Sequence, residues 1–406
     1  MKINCKYHGY IDICIIAETI IKTNEFQRLR YIKQTGVLYY EFPTATHSRY
    51  EHSIGTYYLA RKMITKIKIK QPELGITDEI IMLVSIAGLC HDLGHLMFSH
   101  LFDDYFVAKI KNKVEQKNLS HEERSIFLLN HIVKKYNVNL DNKQLQVIID
   151  LIIPQKSDYD AWELKYKIGK WIFQIISNPI NSIDVDKFDY LTRDADLLGY
   201  KVSFDYNLIM NDAKVINDII CYSSHCCDDI YRMFFLRYRL HRNYYNHPSV
   251  KGIEILIIKI LEDLDSSLNI CEYLLDADKM ILLIDSFILN HPLLSNIHEC
   301  KYPQMVYEDI NILPIIFDDS KLKEYFDEDK YYIMKFKVGY VNSKTNLLNN
   351  ITFYDYETNN IITENTLEKF SLFINKNHQE YFIRVYCIDL NLINEFKKFF
   401  FFILKN

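Results

Sequence analysis

Glycine and proline are scarce, with 10 and 8 in 406 residues. Tight hairpins draw on glycine for positive φ and turns draw on proline, so this scarcity disfavours a strand-rich sandwich or barrel and favours long helices. Also missing is the run of ~18 uninterrupted apolar residues that a membrane span needs; Glu18, Lys22 and similar charges break every candidate. The tail over 399–404 is apolar but short, and reads as the buried end of a core helix rather than a membrane foot. There is no cationic excess: 48 Lys and Arg against 53 Asp and Glu leave a net charge of −5. A nucleic-acid polymer is therefore not indicated as partner, although local Lys and Arg can still serve a small anion. The 9 cysteines are scattered, the adjacent Cys226 and Cys227 cannot clamp a metal as a C-x-x-C pair would, and no secretory segment is apparent. A reduced, cytoplasmic setting is the expectation.

What is present is a 49% hydrophobic chain, ample for one large domain or two ordinary ones. Between residues 25 and 263 apolar side chains recur at helical spacing, with Gly and Pro mostly between blocks. Helices are expected over 50–70, 78–91, 121–136, 159–176 and 230–245. Past residue 314 the pattern changes to Ile-, Val-, Phe- and Tyr-rich stretches at 331–340, 350–356 and 380–388, which read as strands. A last helix from residue 390 would cover them. The fold class is thus mainly α, a helical bundle over 1–315 with a small C-terminal α+β lobe over 316–406, joined through the loop-like acidic segment 290–329.

The sharpest feature is Gly88-Leu89-Cys90-His91-Asp92-Leu93-Gly94-His95, which ends an apolar helix and is followed by Phe98-Ser99-His100. Adjacent helical side chains point about 100° apart, so His91 and Asp92 share an ion only if it sits at the helix flank and other helices bring further ligands. His52, opening one helix, and Asp186, in Ile183-Asp184-Val185-Asp186-Lys187-Phe188-Asp189-Tyr190, supply them. Two imidazoles and two carboxylates suit one divalent iron, manganese or zinc, with positions left for water and a phosphate oxygen. A single buried His is usually satisfied by a hydrogen bond. The whole set beside Arg49, His95, His100, His121 and Lys187 favours a metal site.

His95, one turn past His91, reads as a general acid, and Asp103 as the carboxylate orienting a histidine or, equally, an exposed loop acid. Ser120 and Glu122 are explained by capping a helix; His121 is not. Arg237 and His241 lie one turn apart and share a face.

These motifs resemble the SAM-and-HD-domain dNTP triphosphohydrolases without the SAM module. The resemblance runs from His8-Gly9 through residues 26–34, His52, the His91-Asp92 box and 184–187, and resumes at 237–247 and 382–387. It implies release of intact triphosphate from a deoxynucleoside triphosphate by water attacking the α-phosphorus beside a metal. It further implies that His95, Asp103 and His121 handle protons. Arg49, His100, Lys187, Tyr190, Arg237 and His241 would contact phosphates, with Mg accompanying the nucleotide. Gln34 and Asp194 would hold the sugar 3'-hydroxyl, and Tyr245 would pack on the sugar.

Departures from the family pattern fall in two places. Thr35 replaces an apolar residue after the sugar-reading Gln34, so some ribonucleotide turnover is expected, since a site without a partner for an added hydroxyl rejects it by only about 10²-fold. At the nucleotide activator site Gln27 and Arg30 remain, with Asn4 and His247 as further candidates, but Lys22 stands where a guanine-reading Asp is expected and an ammonium accepts no hydrogen bond. Leu208, Asn243 and Pro248 replace cationic contacts, and Tyr10 replaces a His. An enzyme without the family's GTP requirement is expected, as a dimer or tetramer. The alternatives are an HD-class phosphodiesterase or nucleotidase, and a catalytically lapsed nucleotide binder. Richness in Ile, Asn, Lys and Tyr suggests an AT-rich genome, viral or parasitic, and hence a host cytoplasm.

Overall fold

The computed structural model describes residues 1–110, 120–154, 167–340, 347–362 and 379–403. A hairpin of β1 (Lys2–Cys5) and β2 (Gly9–Asp12) leads into α1 (Ile15–Ile21). The central helices are α2 (Arg49–Lys70), α3 (Asp78–Cys90), α4 (His121–Lys135), α5 (Asn142–Ile152) and α6 (Val185–Leu197). Then come α7 (Cys227–Leu240) and α8 (Pro248–Leu268).

The helix starts are written locally. Glu51 accepts from the Ser48 amide at 2.8 Å, Thr77 accepts from Ile80, and Ser120 accepts from Glu123 as expected of a cap. Asp184 accepts from the Lys187 amide at 3.1 Å and so fixes where α6 begins. Helix α2 packs on α3 and α6, and α3 also packs on α5. The main core runs through this bundle, with Leu59, Ala60, Met63, Ile64, Val84 and Ile86 fully buried.

Four of the five expected helices are present, the last ending in a π-helical turn, His241–Tyr245. The helix expected over 159–176 lies partly outside the described residues, and Lys170–Gln174 is a 3₁₀ turn. The helical stretch also contains a hairpin, β3 (Lys214–Ile216) and β4 (Ile219–Ser223). Its two-residue turn, Asn217-Asp218, has φ of 51° and 63°, the left-handed pair that joins such strands.

The later strands are β5 (Gln304–Asn311), β6 (Tyr331–Gly339), β7 (Phe353–Tyr354), β8 (Ile361–Ile362) and β9 (Gln379–Cys387). They form an antiparallel sheet β5-β9-β6, while β7 pairs in parallel with β4 to give β3-β4-β7-β8. The 290–329 segment, read as loop-like, contains β5, so the antiparallel sheet has strands on both sides of the expected 315/316 boundary. The closing helix α9 (Ile393–Ile403) lies on β5. It buries Phe396 and Phe400 in a small core with Leu322, Val385 and Cys387, but exposes Phe401 and Phe402. Among the described residues no helix is long and apolar enough to cross a membrane, and the nine cysteines are free thiols.

Candidate active site

Three helix ends converge on one point. The first turn of α2 carries Arg49 and His52, the C-terminal end of α3 presents His91 and then Asp92, and the first turn of α6 carries Asp186. His52 Nε2 lies 3.0 Å from Asp186 Oδ1 and 3.4 Å from Asp92 Oδ2. His91 Nε2 lies 3.4 Å from Asp92 Oδ1 and 3.5 Å from Asp186 Oδ1. Both Nε2 atoms are buried without a hydrogen-bond partner.

Their other ring nitrogens are committed. His91 Nδ1 is 2.8 Å from the Gly88 carbonyl, and His52 Nδ1 is 2.9 Å from Asp189 Oδ2. With Nδ1 donating, each ring turns Nε2 toward the carboxylates, where it carries either a proton or, once deprotonated, a lone pair for a cation between them. Donors about 2.1 Å from a shared ion and at right angles are about 3.0 Å apart, so the observed spacings fit a single divalent ion. His52, His91 and Asp186 each turn one ligand atom to a common point, and Asp92 borders it, with Oδ2 3.4 Å from His52 Nε2 while accepting from Arg49.

Asp189 was not singled out from sequence. It also takes His8 Nε2 at 2.8 Å and Arg193 at 2.8 and 3.1 Å, and so clamps the back of His52 to α6. Gly55 makes this close approach possible: a Cβ there would sit 1.9 Å from Asp189 Oδ1. The available signal was spacing, because Asp186, Asp189 and Arg193 follow the 3–4-residue period of one helix face.

A second histidine cluster abuts the first through Asp92. His95 Nε2 is 3.4 Å from Asp92 Oδ1, its ring stacks on His121 at 4.0 Å, and His100 is edge-on at 5.0 Å. Asp103 sits in a π-helical turn, Phe102–Val107, accepting from His121 Nδ1 at 3.1 Å and from Arg124. Its orienting role is thus directed at His121, with His95 Nδ1 3.8 Å away. Arg28, another side chain that sequence reasoning passed over, donates to the carbonyls of His95 and Leu93 and holds the turn.

The two clusters carry opposite electrostatic biases. Burial lowers both metal-side histidines, but the carboxylates of Asp186, Asp189 and Asp92 raise His52 to about 10, and Asp92 and Asp186 raise His91. Across Asp92, burial and then the charges of Arg49 and His121 push His95 well down. Burial, Arg237 and His100 also lower His241. Burial would lower His121 as well, but Asp103 and Glu122 raise it.

The remaining expected contacts line the surroundings. Arg49 donates to Asp92, to Ser99 Oγ at 2.9 Å and to the Gln34 carbonyl at 3.2 Å. Tyr245 OH donates to Asp194 Oδ2 at 2.6 Å, and His47, a further residue sequence reasoning missed, meets Asp194 Oδ1 at 2.6 Å. The Gln34 amide donates to the His47 carbonyl at 3.0 Å, while Gln34 Oε1 and Thr35 Oγ1 are buried without partners. Lys187 is paired with Asp184 at 2.9 Å, Tyr190 lies 6.5 Å from the His52 ring, and His241 is edge-on to Tyr245 at 4.8 Å. Arg237 donates to the Gly339 and Tyr340 carbonyls at 2.8 and 3.2 Å, which ties the pocket to the end of β6.

Of the expected activator residues, Gln27 and Arg30 bond each other at 2.8 Å, and Arg30 lies over the Tyr50 ring. Asn4 is exposed on the β1–β2 hairpin, and His247 stands beside Phe42 and 3.9 Å from Glu41. Lys22 is exposed and paired with Glu18.

The HD domain family model matches residues 49–194, the interval holding all four metal-site residues. An HD domain-containing protein of Acanthamoeba polyphaga mimivirus is 32% identical over 98% of this chain and 95% of its own length. The deoxynucleoside triphosphate triphosphohydrolase SAMHD1 homolog of Dictyostelium discoideum is 38% identical over 75% of this chain. The Homo sapiens SAMHD1 is 36% identical over 63%. The chain spans about half the length of these SAMHD1 relatives, 56% and 43%. With its ligand spacing, its HD match and a full-length relative, the chain belongs to the HD-domain family as a SAMHD1-like member.

Proposed function

We propose that this chain hydrolyses deoxynucleoside triphosphates to deoxynucleoside and inorganic triphosphate. The observation that carries the proposal is the pair of clusters sharing Asp92, one seeking a cation and the other lined by Arg49, His100 and His121 and suited to an anion. An iron, manganese or zinc ion held by His52, His91, Asp92 and Asp186 would lower the pKa of a water and polarise the α-phosphoryl oxygen.

The chain's own groups do the rest. Arg49, His100, Lys187, Tyr190, Arg237 and His241 grip the phosphates, whose charge with Mg requires several donors. His95 is held neutral by burial and by nearby cations. A bound polyphosphate reverses that bias and lets the ring take up a proton for the departing 5'-oxygen. Asp103 favours the protonated form of His121, whose ring stacks on His95. Gln34 and Asp194 hold the 3'-hydroxyl, and Tyr245 packs on the sugar while its hydroxyl fixes Asp194.

The catalytic core is the helical bundle, the C-terminal lobe takes in β5 as well as β6 and β9 and so begins before residue 315, and the enzyme works as a homo-oligomer in a host cytoplasm. Lys22 at the activator position, paired to Glu18, supports activity without GTP. Incubating protein supplied with manganese with each dNTP, with and without GTP, and separating nucleoside from triphosphate tests this reading. Triphosphate without GTP is expected; an absolute need for GTP would overturn the activator part, and release of orthophosphate or monophosphate would overturn the reaction.

A further inference from the structure

The segment after α8 returns to the pocket at one place. Asp285 opens a short 3₁₀ turn, Asp285–Ile288, and its part-buried carboxylate spans two loops. Oδ1 accepts from the Phe98 amide at 2.7 Å, and Oδ2 accepts from the Lys33 amide at 2.8 Å. The first loop carries His100 and the second carries Gln34 and Thr35. Ser99 Oγ closes the seam by donating to the Lys33 carbonyl at 2.7 Å while Arg49 donates to it.

The joint is conformationally demanding. Phe98 and Ser99 are consecutive non-glycine residues at φ of 59° and 56°, a pairing disfavoured for side chains bearing Cβ and sustained only where surrounding bonds fix it. Gly36, at φ 59°, must lack a Cβ, which would lie 2.9 Å from the Phe98 carbonyl oxygen. The loops therefore approach as closely as backbone allows, and one carboxylate satisfies an amide from each.

We propose that Asp285 is a positioning residue that latches the phosphate-side loop bearing His100 to the sugar-side loop bearing Gln34, setting the pocket's width for its nucleotide. This rests on the proposed function for the identity of the ligand, but the latch itself is a property of two backbone amides. Asp285 is faced by Lys33, Arg49 and Tyr39. Burial raises it to about 7, against the two amide bonds and the two cations that lower it. A proton on either oxygen removes an acceptor, so the latch completes as pH rises through about 7. Ionising this buried group has the opposite effect on the whole fold: the stability it contributes is present below its unfolded value and is lost as pH rises toward about 7.

The experiment is hydrogen exchange of segments 31–36 and 96–101 in the full chain at pH 6 and pH 8, corrected for intrinsic rates, with KM and kcat for dATP in parallel. In the wild type, protection of both segments rises with pH. In Asp285→Asn, whose amide cannot accept both bonds, both segments should exchange about tenfold faster at pH 8 and lose the pH dependence. KM should rise about tenfold with kcat changed less. Equal protection in variant and wild type at pH 8, or wild-type protection that does not change between pH 6 and 8, overturns the latch; the second readout needs no variant to fold. If the wild type releases no triphosphate, the proposed function fails while the exchange data still decide the latch.

Discussion

His52 and His95 lie on opposite sides of Asp92, are equally buried, and are pushed in opposite directions. His52 faces Asp186 and Asp189 and is held up at about 10; His95 faces Arg49 and His121 and is held well below its ordinary range. The difference comes from neighbours, not from burial, which lowers both. One pole can surrender protons to a divalent cation, and the other stays neutral until an anion arrives. A metal-dependent hydrolase of phosphate esters needs both, side by side.

The largest effect should come from cutting each pole separately. His91→Ala or Asp92→Ala should abolish product and deplete bound metal measured by elemental analysis. His95→Ala should lower kcat by about 10²- to 10⁴-fold with metal content intact. If His95→Ala loses its metal too, the poles are not separate. Next, Asp189→Asn removes the charge and one of the two acceptor oxygens behind His52 and His8 and should weaken metal affinity by about 10- to 100-fold, read by competition with a chelating dye.

Protonation sharpens the contrast further. In chelator-treated protein His52 is protonated at neutral pH, so metal uptake must expel a proton and affinity should fall as pH falls. Calorimetry in buffers of different ionisation enthalpy measures that release. Because the folded value is raised, the stability from His52 is complete below its unfolded value of about 6.5 and is lost as pH rises through about 10. The melting temperature of chelated protein should decline over that window. The smallest effect concerns the sugar: dATP should be preferred to ATP by no more than about 10²-fold, and Thr35→Leu should widen the gap in paired kcat/KM measurements.

The helices and the metal set were legible because their determinants are local. Ser48 with Glu51 starts α2, and the His91-Asp92 step ends α3 with two ligand types in succession. Whatever depends on distant segments meeting was not legible. Asp189 matters because Gly55 lets α6 approach α2, and Asp285 because a segment some 190 residues later reaches the Phe98 amide. The half-exposed edge strand β5 carries Glu308 and Asp309 and reads as loop until β9 pairs with it. The β3–β4 hairpin hid in a helical stretch because Asn217-Asp218 replaces the usual glycine turn.

The most direct test of the central claim is hydrolysis of dATP in ¹⁸O-water, with products separated and weighed by mass spectrometry. Attack at the α-phosphorus between the two poles predicts unlabelled deoxyadenosine and inorganic triphosphate carrying one ¹⁸O. Label in the nucleoside, or in orthophosphate or pyrophosphate instead of triphosphate, would contradict it.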